Sequence, residues 1–188
     1  MKQRFTELPD IVRRLAALGT ELAYRDLFDL LYMPAKDFAF CILHSNEDAE
    51  EVAGDVMITL WKNRKTLSSI NNVHVYALVI AKNLSLNILK KKSNNKTTSL
   101  DQVNVNFIFN NSSPEQIIID NELKSRLENA IRSLPPKCQL VFKLAKENDL
   151  SYKEISEILS ISIKTVDAHL VAATQKLAKI FKAEFQIK

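Results

Sequence analysis

The stretch "LSYKEISEILSISIKTVDAHLVAATQKLAK", Leu150 to Lys179, carries two helical patterns separated by the short interruption "SIS". Ser151 and Glu154 form the S-x-x-E signature of a capping box, in which the serine and the glutamate each satisfy an amide of the first helical turn. Ile155, Ile158 and Leu159 face one way on the helix that follows. Ser162 stands where it caps a second helix, whose apolar stripe is Val166, Leu170, Ala173, Leu177 and Ile180, at steps of four, three, four and three. A single kinked bundle helix accounts for the apolar spacing, but it has no need of two caps within twelve residues. The two caps favour a helix-turn-helix. Lys164, Thr165, Ala168, His169, Ala172 and Lys176 then fall largely outside the stripe, with Asp167 at its border. Small, hydroxyl and basic side chains on an exposed first turn suit entry into a major groove.

Working outward, the 188-residue chain is 46% hydrophobic and has two glycines, Gly19 and Gly54. So little turn chemistry leaves few hairpins, and long Leu-, Ile-, Lys-, Ala- and Glu-rich periods predict an all-α protein. The apolar positions Leu22, Phe28, Leu31 and Phe38 to Leu43 predict two to four early helices. The clearest pattern is "SNEDAEEVAGDVMITLWKNRK", where Ala49, Val52, Ala53, Val56, Met57, Leu60 and Trp61 make an unbroken stripe. Ser45 or Asn46 caps it, acids crowd its positive end, and Lys62, Arg64 and Lys65 sit at its negative end. After the turn signal Asn71–Asn72 comes "VHVYALVIAKNLSLNILKKK", with Val73, Ala77, Ile80, Ala81, Leu84 and Ile88 on one face.

Residues 93–115 then change character, being rich in Asn, Ser and Thr without a sustained period. This predicts a linker over 93–114, between an N-terminal domain, 1–92, and a C-terminal domain, 115–188. Phe107, Ile108 and Phe109 are its apolar exceptions, equally suited to a buried patch or to an anchor on a partner. The C-terminal domain opens with a helix from about Glu115 to Ser133, ended by "LPP", and a further helix in "KCQLVFKLAKEN".

Net charge is +4, but unevenly spread. Met1–Arg64 is net −3, Lys65–Leu100 is +6 with no acid at all, Asp101–Arg132 is −2 and Ser133–Lys188 is +3. Two basic blocks parted by an acidic one predict two anion-facing surfaces, and nucleic acid is the extended polyanion that fits them. Cys41 and Cys138 are too far apart for a metal-ligand pair and read as reduced core thiols; His44, His74 and His169 have neither metal nor triad spacing. No metal, cofactor or small-molecule substrate is expected, and an enzyme is disfavoured. The charged N-terminus and the lack of an apolar run of about 20 residues lead to the expectation of a cytoplasmic protein.

"LPPKCQLVFKL…LSYKEISEILSISIKTVDAHLVAATQKLA" closely resembles the promoter-binding C-terminal domain of extracytoplasmic-function sigma factors. "NEDAEEVAGDVMITLWKNR" and "VYALVIAKNLSLNILKKK" resemble the two signature segments of their N-terminal domain, in the expected order. The resemblance spans roughly Asp26 to Lys182 and implies a subunit that binds bacterial core RNA polymerase and directs it to promoter DNA. It also implies control by an anti-sigma protein, often membrane-bound. On the first segment it implies polymerase contact through Asp48, Glu51, Asp55, Thr59 and Lys62, although the early acids also suit the helix dipole. Gly54 departs from the family's usual polar residue. On the second segment and the loop before it, it implies recognition of the −10 element. The DNA-facing residues there are Asn71, Asn72, His74, Lys82, Asn83 and Asn87, with Lys90, Lys91 and Lys92 on phosphates. Tyr76 serves either the core or a base. In the C-terminal domain Lys164, Thr165, Asp167, Ala168 and His169 would meet base edges of the −35 element, with Ser162 and Lys176 on phosphates. Ser160 stands where the family often has a turn glycine. The competing reading is an operator-binding regulator that works without polymerase.

Overall fold

A computed structural model describes residues 5–93, 129–146 and 150–185. The architecture is all-helical, in two helical domains. The N-terminal one contains α1 (Leu8–Leu18), α2 (Glu21–Leu43), α3 (Asn46–Lys62) and α4 (Val73–Ser93), with a 3-10 turn at Leu67–Ser69 before α4. The C-terminal one contains α5 (Pro136–Lys146), α6 (Tyr152–Leu159) and α7 (Ile163–Phe185). Nearly all of the expected linker, including Phe107 to Phe109, and most of the expected helix from Glu115 lie outside the described residues; the end of that helix, at 129–132, is helical.

The helix boundaries follow local chemistry. Thr20 and Ser45 hold N-terminal amides of α2 and α3 through their side chains, accepting from Ala23 N at 3.4 Å and Asp48 N at 3.1 Å. Of the two cap candidates for α3, Ser45 is the one used. Gly19 closes α1 at φ 58°, a left-handed conformation that suits a residue without Cβ. Pro136 opens α5, where a missing N–H costs nothing.

Long α2 is the spine of the N-terminal domain, packed on α1, α3 and α4. Leu27, Leu31, Phe38 and Ile42 of α2 are buried with Val52, Val56, Met57 and Leu60 of α3 and Leu78 of α4. The predicted α3 stripe is therefore the core face. On α4, Val73, Ala77 and Ala81 are buried as expected, but so are Val75 and Leu78 on the other side. That second buried face is covered in part by the C-terminal domain: α6 packs directly on α4. Leu150, Ile155, Ile158 and Leu159 join the same continuous apolar cluster as the N-terminal helices. A second cluster, Ala130, Ile131, Leu134, Cys138, Ala173 and Leu177, lies inside the C-terminal domain where α5 meets α7.

Candidate nucleic-acid interface

The capping box that opens the decisive stretch is formed in full. Ser151 N donates to Glu154 Oε2 at 2.8 Å, and Glu154 N donates to Ser151 Oγ at 3.4 Å. The helix ends at Ser160, whose backbone turns left-handed at φ 55°. Two residues on, Ser162 Oγ accepts from Thr165 N at 3.0 Å and pairs with Thr165 Oγ1 at 2.7 Å. The "SIS" interruption is thus a turn between two separately capped helices, and the domain contains a helix-turn-helix. Val166, Leu170, Ala173 and Leu177 are buried and Ile180 is half-buried, so the stripe faces inward.

The opposite face of α7 carries the expected −35 residues. Ser162, Lys164, Asp167 and Ala168 are exposed, and Thr165 is half-buried by its bond to Ser162. Two of the set are engaged within the domain. His169 Nδ1 lies 3.3 Å from Cys138 Sγ, which leaves the ring half-buried against α5. Burial pushes the Cys138 thiol up, with the Lys176 charge opposing. Lys176 itself is exposed and donates to the Ser133 carbonyl.

On α3, Glu51, Asp55 and Lys62 are exposed along one side. Thr59 turns its hydroxyl back to the Asp55 carbonyl at 2.7 Å. Asp48 is half-buried and pairs with Lys92 of α4, whose hydrogen bond holds its carboxyl below the usual range. The missing side chain at Gly54 leaves open space, with no atom within 4 Å of where a Cβ would stand.

The expected −10 residues divide into two groups. Asn71, Asn83, Asn87, Lys90, Lys91 and Lys92 are exposed. Asn72, His74 and Lys82 are not: Asn72 and Lys82 bond to the C-terminal domain, and His74 lies under Phe5 with Glu154 nearby. Asn72 Oδ1 accepts from Val75 N at 3.2 Å, starting α4, while its Nδ2 donates to Glu154 Oε1 at 2.6 Å. Burial raises the Glu154 carboxyl, but hydrogen bonds from Ser151 and Asn72 and the proximity of His74 outweigh it and hold it low. His74 is buried under Phe5, the rings stacked with centroids 4.1 Å apart. Desolvation brings its pKa down to about 4 despite the nearby Glu154 carboxylate. Lys82 is 5% exposed, and its Nζ donates to Ser160 Oγ at 2.8 Å. Tyr76 is half-buried against the apolar core.

Sequence reasoning did not single out Glu154 or Ser160 as partners of the −10 residues. Glu154 was legible as a cap and Ser160 as a turn residue; no spacing along the chain shows that both touch residues about eighty positions earlier.

Two family models match this arrangement. Sigma-70 region 2 covers residues 24–95, which contain the end-capped α3 and the basic α4. Sigma-70, region 4 covers residues 124–177, ending in the helix-turn-helix. The chain belongs to the sigma-70 family, in its extracytoplasmic-function group. It is similar over nearly its whole length to the ECF RNA polymerase sigma factor SigW of Bacillus subtilis, 23% identical over 168 residues, 86% of this chain and 90% of that one. Its fold is that of two solved structures. One is CnrH in complex with the cytosolic domain of CnrY, with a TM-score of 0.58, 15% identity, and 93% and 97% of the two chains covered. The other is RpoE in complex with the anti-sigma factor NepR from Bartonella quintana, with a TM-score of 0.60, 15% identity, and 85% and 96% covered. This ECF sigma factor therefore acts in transcription initiation. Among its described residues no helix is long and apolar enough to cross a membrane, and no group of three or more His, Cys, Asp or Glu is placed to hold a metal.

Proposed function

We propose that the chain binds bacterial core RNA polymerase through the exposed side of α3 and carries it to promoters with two spaced elements. The −10 element meets the loop at Asn71–Asn72 and the exposed polar side of α4, and the −35 element meets the start of α7. The observation that carries this reading is the pairing of two basic, outward-facing helices in one chain. α4 runs through a stretch without acids from Val56 to Leu100, and α7 presents Lys164, Asp167 and Ala168 from a capped turn. Phosphate contacts supply affinity and register, and groove contacts at α7 supply sequence preference. Two weak DNA modules gain affinity when the polymerase holds both on one template.

The domains divide at 1–92 and 115–188, with 93–114 as the tether between them. The protein works as a binding factor rather than an enzyme, in the cytoplasm where polymerase and promoter are. Of the two solved structures, one is a sigma factor in complex with an anti-sigma factor, and by analogy an anti-sigma protein controls this chain. The test is transcription in vitro with core polymerase from the same source and pooled genomic fragments. Transcript starts that share two spaced upstream elements and vanish without the protein support the proposal. DNA retention without polymerase, and no new starts with it, overturns it in favour of an operator-binding regulator.

A further inference from the structure

The outward line of α7 is chemically unlike what a base-reading helix ordinarily carries. With Val166, Leu170, Ala173 and Leu177 buried, the helical period puts Lys164, Ala168, Val171 and Gln175 on the opposite side, and all four are exposed. Hydrogen-bond readout of bases rests mainly on arginine or lysine to guanine and on asparagine or glutamine to adenine. The chain has no arginine after Arg132, so α7 holds no guanidinium fork. His169 is turned toward Cys138 at 3.3 Å. The middle of the line is Ala168 and Val171, with exposed Ala172 beside them, and none of these side chains can donate or accept a hydrogen bond.

Val171 is 47% exposed. A lone exposed valine is ordinary on a protein surface. This one stands midway along the face that the capped turn at Ser162 presents, with only the small Ala168 and Ala172 next to it on that face. A β-branched side chain in a helix keeps to one rotamer, so docking it against a partner costs little entropy. The same helix carries Lys164, Lys176 and Lys179, exposed cations that complement a polyanion. In the major groove one apolar group distinguishes the bases, the 5-methyl of thymine. Ala168 and Val171 are about 4.5 Å apart along the helix axis, close to the roughly 3.4 Å step between stacked bases. Two neighbouring methyls are therefore within reach of one helix face.

We propose that Val171, with Ala168 before it, reads thymine methyl groups at adjacent A·T pairs of the −35 element. The inference deepens the assignment of α7 to that element and rests on it. Cytosine has no methyl and would leave Val171 against a polar edge, so a preference arises without a hydrogen bond. Lys164 and Gln175, at the two ends of the line, are left for phosphate or polar base contacts.

The test uses the whole chain with core polymerase, on a promoter recovered in the transcription assay. Each thymine of its −35 element, on either strand, is replaced in turn by deoxyuridine, which deletes the methyl and keeps every hydrogen bond. Initiation at limiting protein is expected to fall about threefold to fivefold at one or two adjacent pairs, the worth of a buried methyl group, and to be unchanged elsewhere. Val171→Ala is expected to remove most of the uracil penalty at one of these positions, and Val171→Ile to retain it. The side chain is exposed, so both variants are expected to keep the helix content of the unaltered protein. Protein-dependent starts that ignore uracil at every −35 thymine overturn the inference and leave the sigma-factor reading standing. A −35 element without two adjacent A·T pairs does the same, as does a uracil penalty that Val171→Ala leaves in full. Equal loss of initiation by Val171→Ala on thymine and uracil templates also overturns it, because Val171 would then meet the polymerase rather than DNA. Absence of any protein-dependent start overturns both readings.

Discussion

Asp48, at the positive end of α3, is ion-paired with Lys92, at the far end of α4. One belongs to the face assigned to polymerase and the other to the basic run assigned to DNA, so the two functions share a local charge balance. Lys92 is well exposed and Asp48 is not, which makes this a pair of modest stabilising effect, under about 1 kcal/mol.

The pairing separates Lys92 from its neighbours in their effect on DNA. Removing one lysine–phosphate interaction should reduce the slope of log affinity against log salt by about 0.7 to 0.9. Lys91→Ala is expected to lower the slope by that amount in promoter binding by the polymerase complex. Lys92→Ala should lower it by less, because a carboxylate already neutralises part of its charge. A salt titration of both variants checks this; equal slopes for Lys92→Ala and Lys91→Ala would refute it.

On α7 the contrast lies between Lys164 and His169. Lys164 is exposed at the start of the helix, whereas His169 is drawn toward Cys138 at 3.3 Å. Lys164→Ala is expected to weaken initiation at promoters with an intact −35 element by about 1 to 3 kcal/mol and to relax the preference at one base position. His169→Ala is expected to act first on stability, by exposing Cys138, with a smaller change in base preference. Promoter-library transcription together with urea denaturation of both variants distinguishes the two effects.

Gly54 offers a gain. It lies in the interior of α3, with nothing within 4 Å of where an alanine methyl would stand and no need for a positive φ. Glycine in a helix interior gives up as much as about 1 kcal/mol relative to alanine. Gly54→Ala is expected to stabilise the free protein by a few tenths to about 1 kcal/mol, measured as a rise in the urea midpoint at constant slope. A loss of stability would mean that the local backbone depends on glycine in a way its dihedral does not show.

The sequence carried the parts of this molecule that depend on neighbours a few residues apart. The Ser151–Glu154 capping box, the cap at Ser162 and the Ala49–Trp61 stripe are local hydrogen-bond or periodicity signals, and the structure has all three. Asn72, His74 and Lys82 were equally visible as polar residues on a basic helix. Their burial was not, because it comes from residues remote in sequence: Glu154 of α6 bonds Asn72, Ser160 at the end of α6 bonds Lys82, and Phe5 stacks on His74. A partner surface on α4 can be occupied by DNA or by the chain's own C-terminal domain, and periodicity does not distinguish them. The lysine itself gave no warning, since a long cationic side chain on a helix is almost always solvated.

His74 makes the seam answer to pH. Its pKa falls from an ordinary 6.5 to about 4 because desolvation disfavours the imidazolium, with the Glu154 carboxylate opposing from the α6 side and the neutral Phe5 ring stacked on it. The unfolded chain therefore binds this proton at a higher pH than the folded one does, and between the two values the folded state holds fewer protons. Stability attributable to His74 is present in full above pH 6.5 and is lost as pH falls toward 4. Lowering the pH from about 7 to about 5 should cost roughly 2 kcal/mol, since the loss approaches 1.4 kcal/mol for each pH unit between the two values. The carboxylates Glu154 and Asp48, held low, add their own losses only in more acid solution, below their ordinary values of 4.5 and 3.8. His74→Phe keeps a flat ring for Phe5 to stack on and removes the titration. Urea denaturation of the full chain at about pH 5 and about pH 7 is expected to show a much smaller difference for the variant than for the unaltered protein. A variant that keeps the whole pH dependence would show that His74 is not held neutral beneath Phe5 in the folded chain.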